Sequence, residues 1–418
     1  MIAADTSREI KFQELLVRSM RSPFYQQKLA GHSLHDMHPE TITSLPLTYK
    51  SELREAGAHG ILAVGREEIA QYHESSGTSG IPSISWFTLD DLNHGARQLL
   101  HSDIHLCSKD LVLNRFPYAL ALPAHLVQQA ARQAGAGVVP SSGRNTITNY
   151  LKVLDLIKSL GVSVIAALPR EMELLGEAAG AAGIKITEEF PELRALWMAG
   201  ELVTSARKEY LERMWGVKVY NFYGSTETGN MAYMCSEGKL HLEEQDYIFE
   251  VLDISPEHTK EQEGRGLLAV STLCHAGSPL VRYFNEDIIS IHTAPCTCGR
   301  ESRTMVHHGR LKEAGISARL ITAADIMDSV YSLDPVPAAW KCTFSGNAIH
   351  FEMEWSAGEV DEESVICSLG KALEAEIHLL IHKKGGMLNW EDLLSNQSSK
   401  KPVYIHTQES AILSGKQQ

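Results

Sequence analysis

Hydroxyl groups and glycines are concentrated in one short segment, Ser75-Ser76-Gly77-Thr78-Ser79-Gly80-Ile81-Pro82. Glycine lets a backbone approach a ligand closely and adopt positive φ, so such a loop can direct N–H groups and hydroxyls at phosphate oxygens. A Ser/Gly-rich surface turn has the same composition. The interpretation of this segment therefore depends on the other polar groups of the chain.

A second group of polar residues lies at the end of Val219–Glu227, a segment that begins with apolar and aromatic residues. An aromatic ring at a strand end can stack on a purine, and the Thr226 hydroxyl can bond an α-phosphate. The Glu227 carboxylate can hold Mg²⁺ through oxygen ligation. The alternative is a helix N-cap at Thr226, with Glu227 as an acid of the first turn.

Three cysteines and a histidine form a third group: Cys235, His241, Cys296 and Cys298. Three thiolates and one imidazole suit tetrahedral zinc, and the residues around Cys296-Thr297-Cys298 favour a turn that presents both sulfurs. Since all four ligands would come from the protein, such a site is structural. The alternative is that these are four unrelated small or buried residues.

The elements that must position these groups alternate between two patterns from residue 60 to 290. Short apolar runs alternate with Ala/Glu/Lys-rich helical stretches, which predicts βαβ units in a mixed α/β domain. Before them, residues 7–30 predict a helix that ends near the turn-prone Arg21-Ser22-Pro23. The predicted strands cover 162–168, 193–198, 217–222 and 267–271, and the predicted helices cover 149–160, 171–182 and 205–214.

After a charged stretch over residues 300–319 the pattern changes. It predicts an amphipathic helix over 323–332, a strand pair near 339–355 and a helix over 361–376. We therefore place a boundary close to Gly309-Arg310. The predicted fold class is α/β, with a large mixed α/β domain over residues 1–309 and a small α+β domain over 310–418.

Composition limits the function classes. The chain has 418 residues with 44% hydrophobic and 22% charged, as expected for a globular protein, and its formal net charge is −14. This acidic balance disfavours nucleic acid and anionic membranes as partners. The start of the chain lacks a signal pattern and no apolar run approaches about 20 residues, which predicts a cytoplasmic location. The sequence is compatible with a homodimer.

Residues 73–82 resemble the signature loop of adenylate-forming enzymes, in the form found in phenylacetate-CoA ligases. Residues 223–227 resemble the second signature of that family, and residues 199–201 lie where the family has its adenine-wall loop. The segment 278–287 resembles the one whose aspartate bonds both ribose hydroxyls, and Gly309-Arg310 resembles the interdomain hinge. This resemblance covers nearly the whole chain and thins after the hinge.

The resemblance implies a two-step reaction with ATP and Mg²⁺. A carboxylic acid first becomes an acyl-adenylate, and then the small mobile C-terminal domain rotates about Lys312 and a thiol, usually of CoA, displaces AMP. Thr226 and Glu227 would be catalytic, with Glu227 on Mg²⁺, and the family also favours zinc at the cysteine and histidine group. The implied nucleotide-binding residues are Ser75, Ser76, Gly77, Thr78, Ser79, Gly80, Gly200, Glu201, Asn221, Phe222, Tyr223, Gly224, Ser225, Asp287 and Arg310.

The substrate pocket implied by the resemblance is mostly apolar and aromatic, which suits an aryl or arylacetic acid. It comprises Phe116, Tyr118, Ala119, Ala199 and Tyr223. This prediction makes the chain an AMP-forming acid–thiol ligase whose acceptor is CoA, a carrier protein or an amine.

Three departures from the family pattern bear on this prediction. Ile81 stands where the family usually has lysine, and the glycine expected in the pantetheine channel is missing after the hinge. The C-terminal lysine that bonds the reacting carboxylate matches Lys400 or Lys401, without the usual glycine. They leave open a nucleotide-binding regulator that has lost catalysis. A transferase that uses a preformed thioester without ATP is disfavoured by the intact nucleotide motifs.

Overall fold

The computed structural model describes residues 2–75, 81–143, 147–253, 264–316, 319–358, 360–395 and 405–406. None of its helices is both long and apolar enough to cross a membrane. The α-helices are α1 Ile2–Ser19, α2 Pro23–Lys28, α3 Lys50–Glu55, α4 Leu89–Leu99, α5 Leu122–Gln133, α6 Tyr150–Leu160, α7 Pro169–Ala181, α8 Ile186–Glu189, α9 Ser205–Trp215, α10 Ala323–Tyr331, α11 Glu362–Leu373 and α12 Trp390–Ser395.

Three 3₁₀ turns cover Pro39–Ser44, Arg66–Glu68 and Leu311–Glu313. The strands are β1 Thr48–Tyr49, β2 Ile69–Glu74, β3 Ile84–Thr88, β4 Leu111–Asn114, β5 Gly137–Val139, β6 Val164–Ala167, β7 Ala195–Met198, β8 Lys218–Ser225, β9 Gly229–Met234, β10 Leu240–Leu242, β11 Tyr247–Leu252, β12 Gly264–Thr272, β13 Tyr283–His292, β14 Thr304–Arg310, β15 Gly315–Ile316, β16 Leu320–Ile321, β17 Ala339–Ser345, β18 Ala348–Glu354, β19 Glu376–His382 and β20 Ile405–His406.

These elements confirm the predicted α/β class. The four predicted strands correspond to β6, β7, β8 and β12, and the predicted helices correspond to α6, α7, α9, α10 and α11. The predicted N-terminal helix is divided in two, because Ser22 accepts a hydrogen bond from the backbone N–H of Tyr25 and Pro23 begins α2. Proline has no backbone N–H and fits the first turn of a new helix.

The chain divides into two compact units, each assembled from several stretches. Unit 1 comprises residues 1–109, 116–138 and 220–306, and unit 2 comprises 110–115, 139–219 and 307–418. Unit 2 thus groups the C-terminal part of the chain with residues 139–219. A separate small domain that begins at Arg310 stays a prediction.

Unit 1 contains an extended sheet with strand order β11-β12-β13-β14-β10-β9-β8, and β1 pairs in parallel with β13. The long strands β11, β12 and β13 are antiparallel neighbours. Strands β2 and β3 form a separate antiparallel hairpin. One hydrophobic core lies on the sheet and includes Phe249 and Ile289, and a second packs α1 and α2 around Phe12 and Tyr25.

Two of the sheets in unit 2 pack with helices, each around its own hydrophobic core. Strands β4, β6 and β7 pair in parallel, and β6 and β7 are buried throughout, as expected for strands covered on both faces. Helices α6, α7 and α9 pack against them around Trp215. A smaller sheet, in the order β19-β18-β17-β20, packs with α10 and α11 around Phe351.

A buried carboxylate on β18 holds the chain segment that leads into α12. Glu354 is fully buried and accepts hydrogen bonds from the backbone N–H groups of Gly385, Met387 and Leu388, at 2.6–3.0 Å, and from Trp390 Nε1 at 2.7 Å. Four donors on one anion fix the course of residues 385–390. This places Leu393 of α12 in the core formed by α6 and α7.

We expect Glu354→Ala to lower the free energy of unfolding by at least about 2 kcal/mol, because four donors lose the buried, charged acceptor that they share. Urea denaturation measures the change. Glu352→Ala is the matched control, since Glu352 lies on the same strand with its side chain 33% exposed in a pair with Lys341. The control should lose less than about 1 kcal/mol. Equal losses in the two variants would contradict the role given to Glu354.

Candidate functional site

The β8–β9 hairpin shapes the turn that carries Thr226 and Glu227. A Cβ atom at Gly224 would lie 2.0 Å from the carbonyl oxygen of Gly229, so only glycine fits there. The turn is closed because the backbone N–H of Ser225 donates to Thr228 Oγ1 at 3.1 Å and the N–H of Thr228 donates to Ser225 Oγ at 3.2 Å. A strand follows, so the helix N-cap alternative for Thr226 is wrong.

Glu227 is 2% exposed and its Oε1 lies 3.0 Å from Nζ of Lys50. Burial raises the pKa of Glu227, but the charge of Lys50 outweighs it and holds the pKa below its usual value. Glu227 is therefore ionised at neutral pH. Lys50 begins α3 directly after β1, which β13 holds by parallel pairing. Sequence reasoning missed Lys50, because a single lysine after a short strand carries no signal of its own.

Asp287 on β13 is oriented by two neighbours. It is 9% exposed, and its Oδ2 accepts hydrogen bonds from the Tyr223 hydroxyl at 2.5 Å and from Asn285 Nδ2 at 3.1 Å. The backbone N–H of Asp287 donates to Asn285 Oδ1 at 3.1 Å. The structure thus brings the predicted residues Tyr223 and Asp287 together and adds Asn285, to which the sequence pattern assigns no separate role.

The base of the Ser/Gly-rich loop is closed by two hydrogen bonds. The N–H of Ser75 donates to the carbonyl of Ser83, and the N–H of Ser83 donates to Ser75 Oγ, both at 2.9 Å. Strands β2 and β3 hold the two ends of the loop in one hairpin. Ile81 is 68% exposed. Ser76, Gly77, Thr78, Ser79, Gly80, Lys400 and Lys401 lie outside the described residues.

The remaining predicted nucleotide residues lie in unit 2. Ala199 and Gly200 follow β7, and Gly200 has a φ of 81°, where a Cβ would lie 2.9 Å from Leu168 Cδ2. Glu201 comes next, with its side chain 4% exposed. Arg310 ends β14 and is half-buried, and Lys312 is exposed in the 3₁₀ turn that follows. The union of these residues with those of unit 1 in one site stays a prediction.

The predicted substrate-pocket residues of unit 1 differ in burial. Phe116 is 1% exposed and its ring centroid lies 6.0 Å from that of Phe222. Asn221, beside Phe222 on β8, is also buried, whereas Ala119 is exposed. Phe116 and Phe222 therefore form an apolar contact, and Ala119 is open to solvent. The pocket role of these residues stays a prediction.

Tyr118, another residue of the predicted pocket, lies in a row of neighbouring rings with two histidines. The rings of Tyr118 and His125 lie 5.5 Å apart and those of His125 and His73 5.1 Å apart. Burial, together with the neighbouring His125, lowers the pKa of His73 to about 4. His73 is therefore neutral at pH 7 and adds ring surface without charge. Sequence reasoning had assigned neither histidine to the pocket.

The four residues of the cysteine and histidine group converge in unit 1. Their ligand atoms all lie within 4.8 Å of one another, with Cys235 Sγ 3.9 Å from Cys296 Sγ and Cys298 Sγ 3.3 Å from His241 Nε2. Zinc–sulfur bonds of about 2.3 Å at tetrahedral angles separate two sulfurs by about 3.8 Å. The spacing fits a tetrahedral metal, and the four residues are neighbours in the fold.

Ser302 orients the imidazole of this group. His241 Nδ1 lies 3.0 Å from the carbonyl oxygen of Ser302, which can only accept a hydrogen bond. Nδ1 therefore carries the proton, and Nε2 turns its lone pair toward the three sulfurs. A hydrogen bond of this kind is the usual support of a metal-binding histidine. Sequence reasoning missed Ser302.

A second group with metal-binding atoms, His94, Asp246 and Cys274, does not fit a cation. Lys11 Nζ lies 3.1 Å from Asp246 Oδ1, and His94 Nε2 lies 2.8 Å from Oδ2. The thiol of Cys274 donates to Oδ1 at 3.2 Å. An ammonium group already neutralises this carboxylate, so the group is explained by its internal contacts.

Known proteins resemble this chain in sequence and in fold. It is 29% identical to the phenylacetate-coenzyme A ligase of Thermus thermophilus over 289 residues, which are 67% of this chain and 64% of that protein. It is 27% identical to the phenylacetate-coenzyme A ligase of Pseudomonas putida over 278 residues, 64% of this chain and 61% of that protein. The chain therefore spans less than two thirds of the length of these two relatives.

A solved structure of 2-hydroxyisobutyryl-CoA ligase, in the postadenylation state with R3-HIB-AMP, superposes with a TM-score of 0.85 at 16% identity. The match covers 98% of this chain and 91% of that one, and it shows a shared fold. The resemblance to phenylacetate-CoA ligases is thus confirmed. The family model for AMP-binding enzymes matches residues 37–250, about half of the chain. The chain belongs to the AMP-binding enzyme family.

Proposed function

We propose that this protein activates a carboxylic acid with ATP and transfers the acyl group to CoA. The observation that carries the proposal is the β8–β9 turn, which presents Thr226 beside the buried, ionised Glu227. The phenylacetate-coenzyme A ligases among the relatives and the CoA ligase of the same fold support this reaction class. The activity is that of an AMP-forming acid–thiol ligase.

The first step needs no nucleophilic side chain. A carboxylate oxygen of the substrate attacks the α-phosphorus, forming the acyl–phosphate bond as the bond to the β-phosphate oxygen breaks and pyrophosphate leaves. A thiolate then attacks the acyl carbon and AMP leaves. Positioning and charge neutralisation are what the protein must supply. Glu227 would hold Mg²⁺ with its carboxylate, and Thr226 would bond the α-phosphate.

Other residues would bind the rest of the nucleotide. Asp287 is suited to two ribose hydroxyls, because Tyr223 and Asn285 already fix the orientation of its carboxylate. Gly200 and Glu201 would wall the adenine, with Arg310 at ribose or phosphate. Lys400, or Lys401, would contact the reacting carboxylate, and residues 310–418 would rotate about Lys312 between the two steps.

An aryl or arylacetic acid is the proposed substrate class. Phe116 and Phe222 supply apolar rings. Tyr118 follows soon after Phe116 in the sequence and is half-buried in the same unit. His73 is neutral at pH 7 and adds no positive charge to these rings. A flat apolar acid is what such walls suit.

A cytoplasmic location, the lack of nucleic-acid or membrane partners and a homodimer stay predictions.

The deciding experiment is a panel of carboxylic acids assayed for ATP-dependent pyrophosphate release, with and without CoA. We expect release with aryl or arylacetic acids, and conversion of the product to a thioester when CoA is present. A carrier protein or an amine in place of CoA tests the other acceptors. ATP binding without pyrophosphate release from any acid would instead favour the regulator, in line with the exposed Ile81 at a position where the family has lysine.

Within this assay, Glu227→Gln should slow adenylation by about 10²-fold or more, because the amide keeps the shape of the side chain and loses the charge that holds Mg²⁺. Glu209→Gln is the control, since Glu209 is exposed on α9, and it should change the rate less than about twofold. Near-wild-type pyrophosphate release by Glu227→Gln would remove Glu227 from the proposed site.

Lys50 keeps Glu227 ionised, and this has a measurable consequence. Lys50→Met should lower the free energy of unfolding at pH 7 by at least about 2 kcal/mol, since it leaves a buried carboxylate unpaired. The depressed pKa of Glu227 stabilises the fold above the usual carboxyl value of 4.5 and stops doing so as the pH falls below it. The difference from wild type should therefore shrink at pH 4.

Urea denaturation of both proteins at pH 7 and pH 4 measures this difference. Lys152→Met is the control, because the pair of Lys152 with Asp155 is exposed at 51% and 60%, and it should change stability by less than about 1 kcal/mol at either pH. A difference between Lys50→Met and wild type that is the same at both pH values would contradict the ion pair.

We also propose that Cys235, His241, Cys296 and Cys298 hold one structural zinc ion. Purified protein should then carry about one equivalent of zinc, and Cys296→Ser should lower the melting temperature more than it changes substrate preference. Elemental analysis of protein prepared without chelator gives the metal content. Cys107→Ser, at an exposed cysteine outside the group, should keep both the zinc and the melting temperature. Zinc-free wild-type protein would overturn this proposal.

A further inference from the structure

Unit 2 contains a buried group of charged residues that, apart from Glu201, has no part in the proposed chemistry. We call it the Glu173 cluster; it consists of Arg170 and Glu173 on α7, Glu201, Arg207 on α9, and Tyr331 on α10. The side chains of Arg207, Glu173, Glu201 and Arg170 are 0%, 2%, 4% and 10% exposed. Two arginines face two glutamates, so the buried charges balance.

Arg207 connects the interior of this cluster with the Ala199–Glu201 loop. Its Nε donates to Glu173 Oε1 at 2.8 Å, and its Nη2 donates to Glu201 Oε2 at 3.0 Å. Its Nη1 donates to the carbonyl of Leu202 at 2.8 Å. One planar guanidinium thus holds a carboxylate and a backbone carbonyl at the C-terminal end of the loop, and lysine cannot reproduce this fork.

Two further contacts restrict the conformation of the loop. Glu201 Oε2 also accepts the backbone N–H of Arg170 at 3.2 Å. Gly200 has positive φ, and its backbone lies against the side chain of Leu168, the residue between β6 and α7. The orientation of residues 199–201 therefore depends on where Arg207 and Glu173 lie.

The same cluster reaches a part of the chain that follows the predicted hinge. The Tyr331 hydroxyl donates to Glu173 Oε1 at 2.6 Å, and its ring lies over the Arg207 guanidinium, 5.4 Å from Cζ. Nearby, the N–H of Ala206 donates to Asp328 Oδ1 at 3.1 Å, and Arg170 Nη2 donates to the carbonyl of Ala338 at 2.8 Å. Helix α10 is thus bonded to the residues that orient the loop.

Stability alone is a weak reason for this arrangement. Removing four charges from water carries a desolvation penalty that their attraction need not exceed, and apolar side chains of similar volume often serve a core as well. Buried ionic groups do fix direction, because each hydrogen bond has one geometry. The fork on Glu201 and Leu202 and the hydroxyl from α10 are both directional contacts.

We propose that Arg207 is a positioning residue for the Ala199–Glu201 loop, and that Tyr331, acting through Glu173, couples the conformation of this loop to the docking of α10. This inference rests on the proposed function, in which the loop walls the adenine. A nucleotide that binds the ordered loop then favours docked α10, and docked α10 favours nucleotide binding to the same extent.

The test is ATP binding by isothermal titration calorimetry on the full chain with Mg²⁺, which requires no knowledge of the acid. Arg207→Lys keeps the charge and loses the fork, and we expect the Kd for ATP to rise about 10-fold or more. Arg207→Met should raise it at least as much. Tyr331→Phe removes one hydroxyl and should raise the Kd about threefold or more.

The number of sites per chain separates positioning from folding. A residue that only stabilised the fold would lower this number and the melting temperature and leave the Kd of the folded fraction unchanged. Arg194→Lys is the matched control, because Arg194 makes a fork to Asp110, with Nε at 2.8 Å and Nη2 at 2.7 Å, away from the loop residues. It should change the Kd less than about twofold.

The double variant Arg207→Lys/Tyr331→Phe tests the coupling. Since Tyr331 reaches the loop only by way of Glu173 and Arg207, the Kd of the double variant should rise by less than the product of the two single increases. Increases that multiply would overturn the coupling, and a Kd within twofold of wild type for Arg207→Lys would overturn the positioning role. Wild-type protein that binds no ATP would overturn the proposed function itself, whereas ATP binding without pyrophosphate release leaves this inference to be decided by the Kd values.

Discussion

The burial of carboxylates is the constraint on which most of this structure depends. Glu354, Glu173, Glu227 and Asp287 are between 0% and 9% exposed. An anion in such a place is stable only when donors or cations surround it. In each case the chain supplies them from a distant segment: Lys50 for Glu227, Tyr223 for Asp287, Arg207 for Glu173 and the backbone at 385–388 for Glu354. Segments far apart in sequence are thereby held in one geometry.

These four anions differ in what is left for chemistry. Glu354 is surrounded by backbone and indole donors, which leaves it a purely structural role. Glu227 has a single lysine as its cation, at the tip of a hairpin between two glycines. A divalent ion brought in with a nucleotide can compete with one ammonium for such a carboxylate, because it carries twice the charge. The proposed catalytic role is therefore assigned to Glu227, whose negative charge is balanced by Lys50.

The cysteine and histidine group shows the opposite design. His241 is fully buried and its outer nitrogen is occupied by Ser302, so its inner nitrogen can face only the three sulfurs. All four proposed ligands belong to the protein, so a metal held by them would have no open position for a substrate. The group joins the turn that follows β9, strand β10 and the segment before β14. A metal there would stabilise unit 1 without taking part in the proposed reaction.

The motifs and most of the regular elements can be predicted from the amino-acid sequence. Strands β6, β7 and β12 and helices α6, α9 and α11 follow from apolar periodicity, and residues 73–82 and 223–227 carry their chemistry in adjacent positions. Such signals are local, so they survive without knowledge of the fold. The cysteine and histidine residues can also be identified from the sequence, since thiols and imidazoles are few and chemically distinctive.

The side chains that complete these groups become apparent in the folded chain. Lys50, Asn285, Ser302 and Arg207 are common polar residues whose roles come from a partner elsewhere in the chain, which for Asn285 is the Tyr223 hydroxyl. The same holds for the grouping of residues 307–418 with 139–219 in unit 2. A pairwise contact between remote segments leaves no periodic pattern in either one, because its energy depends on burial and geometry that arise only when the chain has folded.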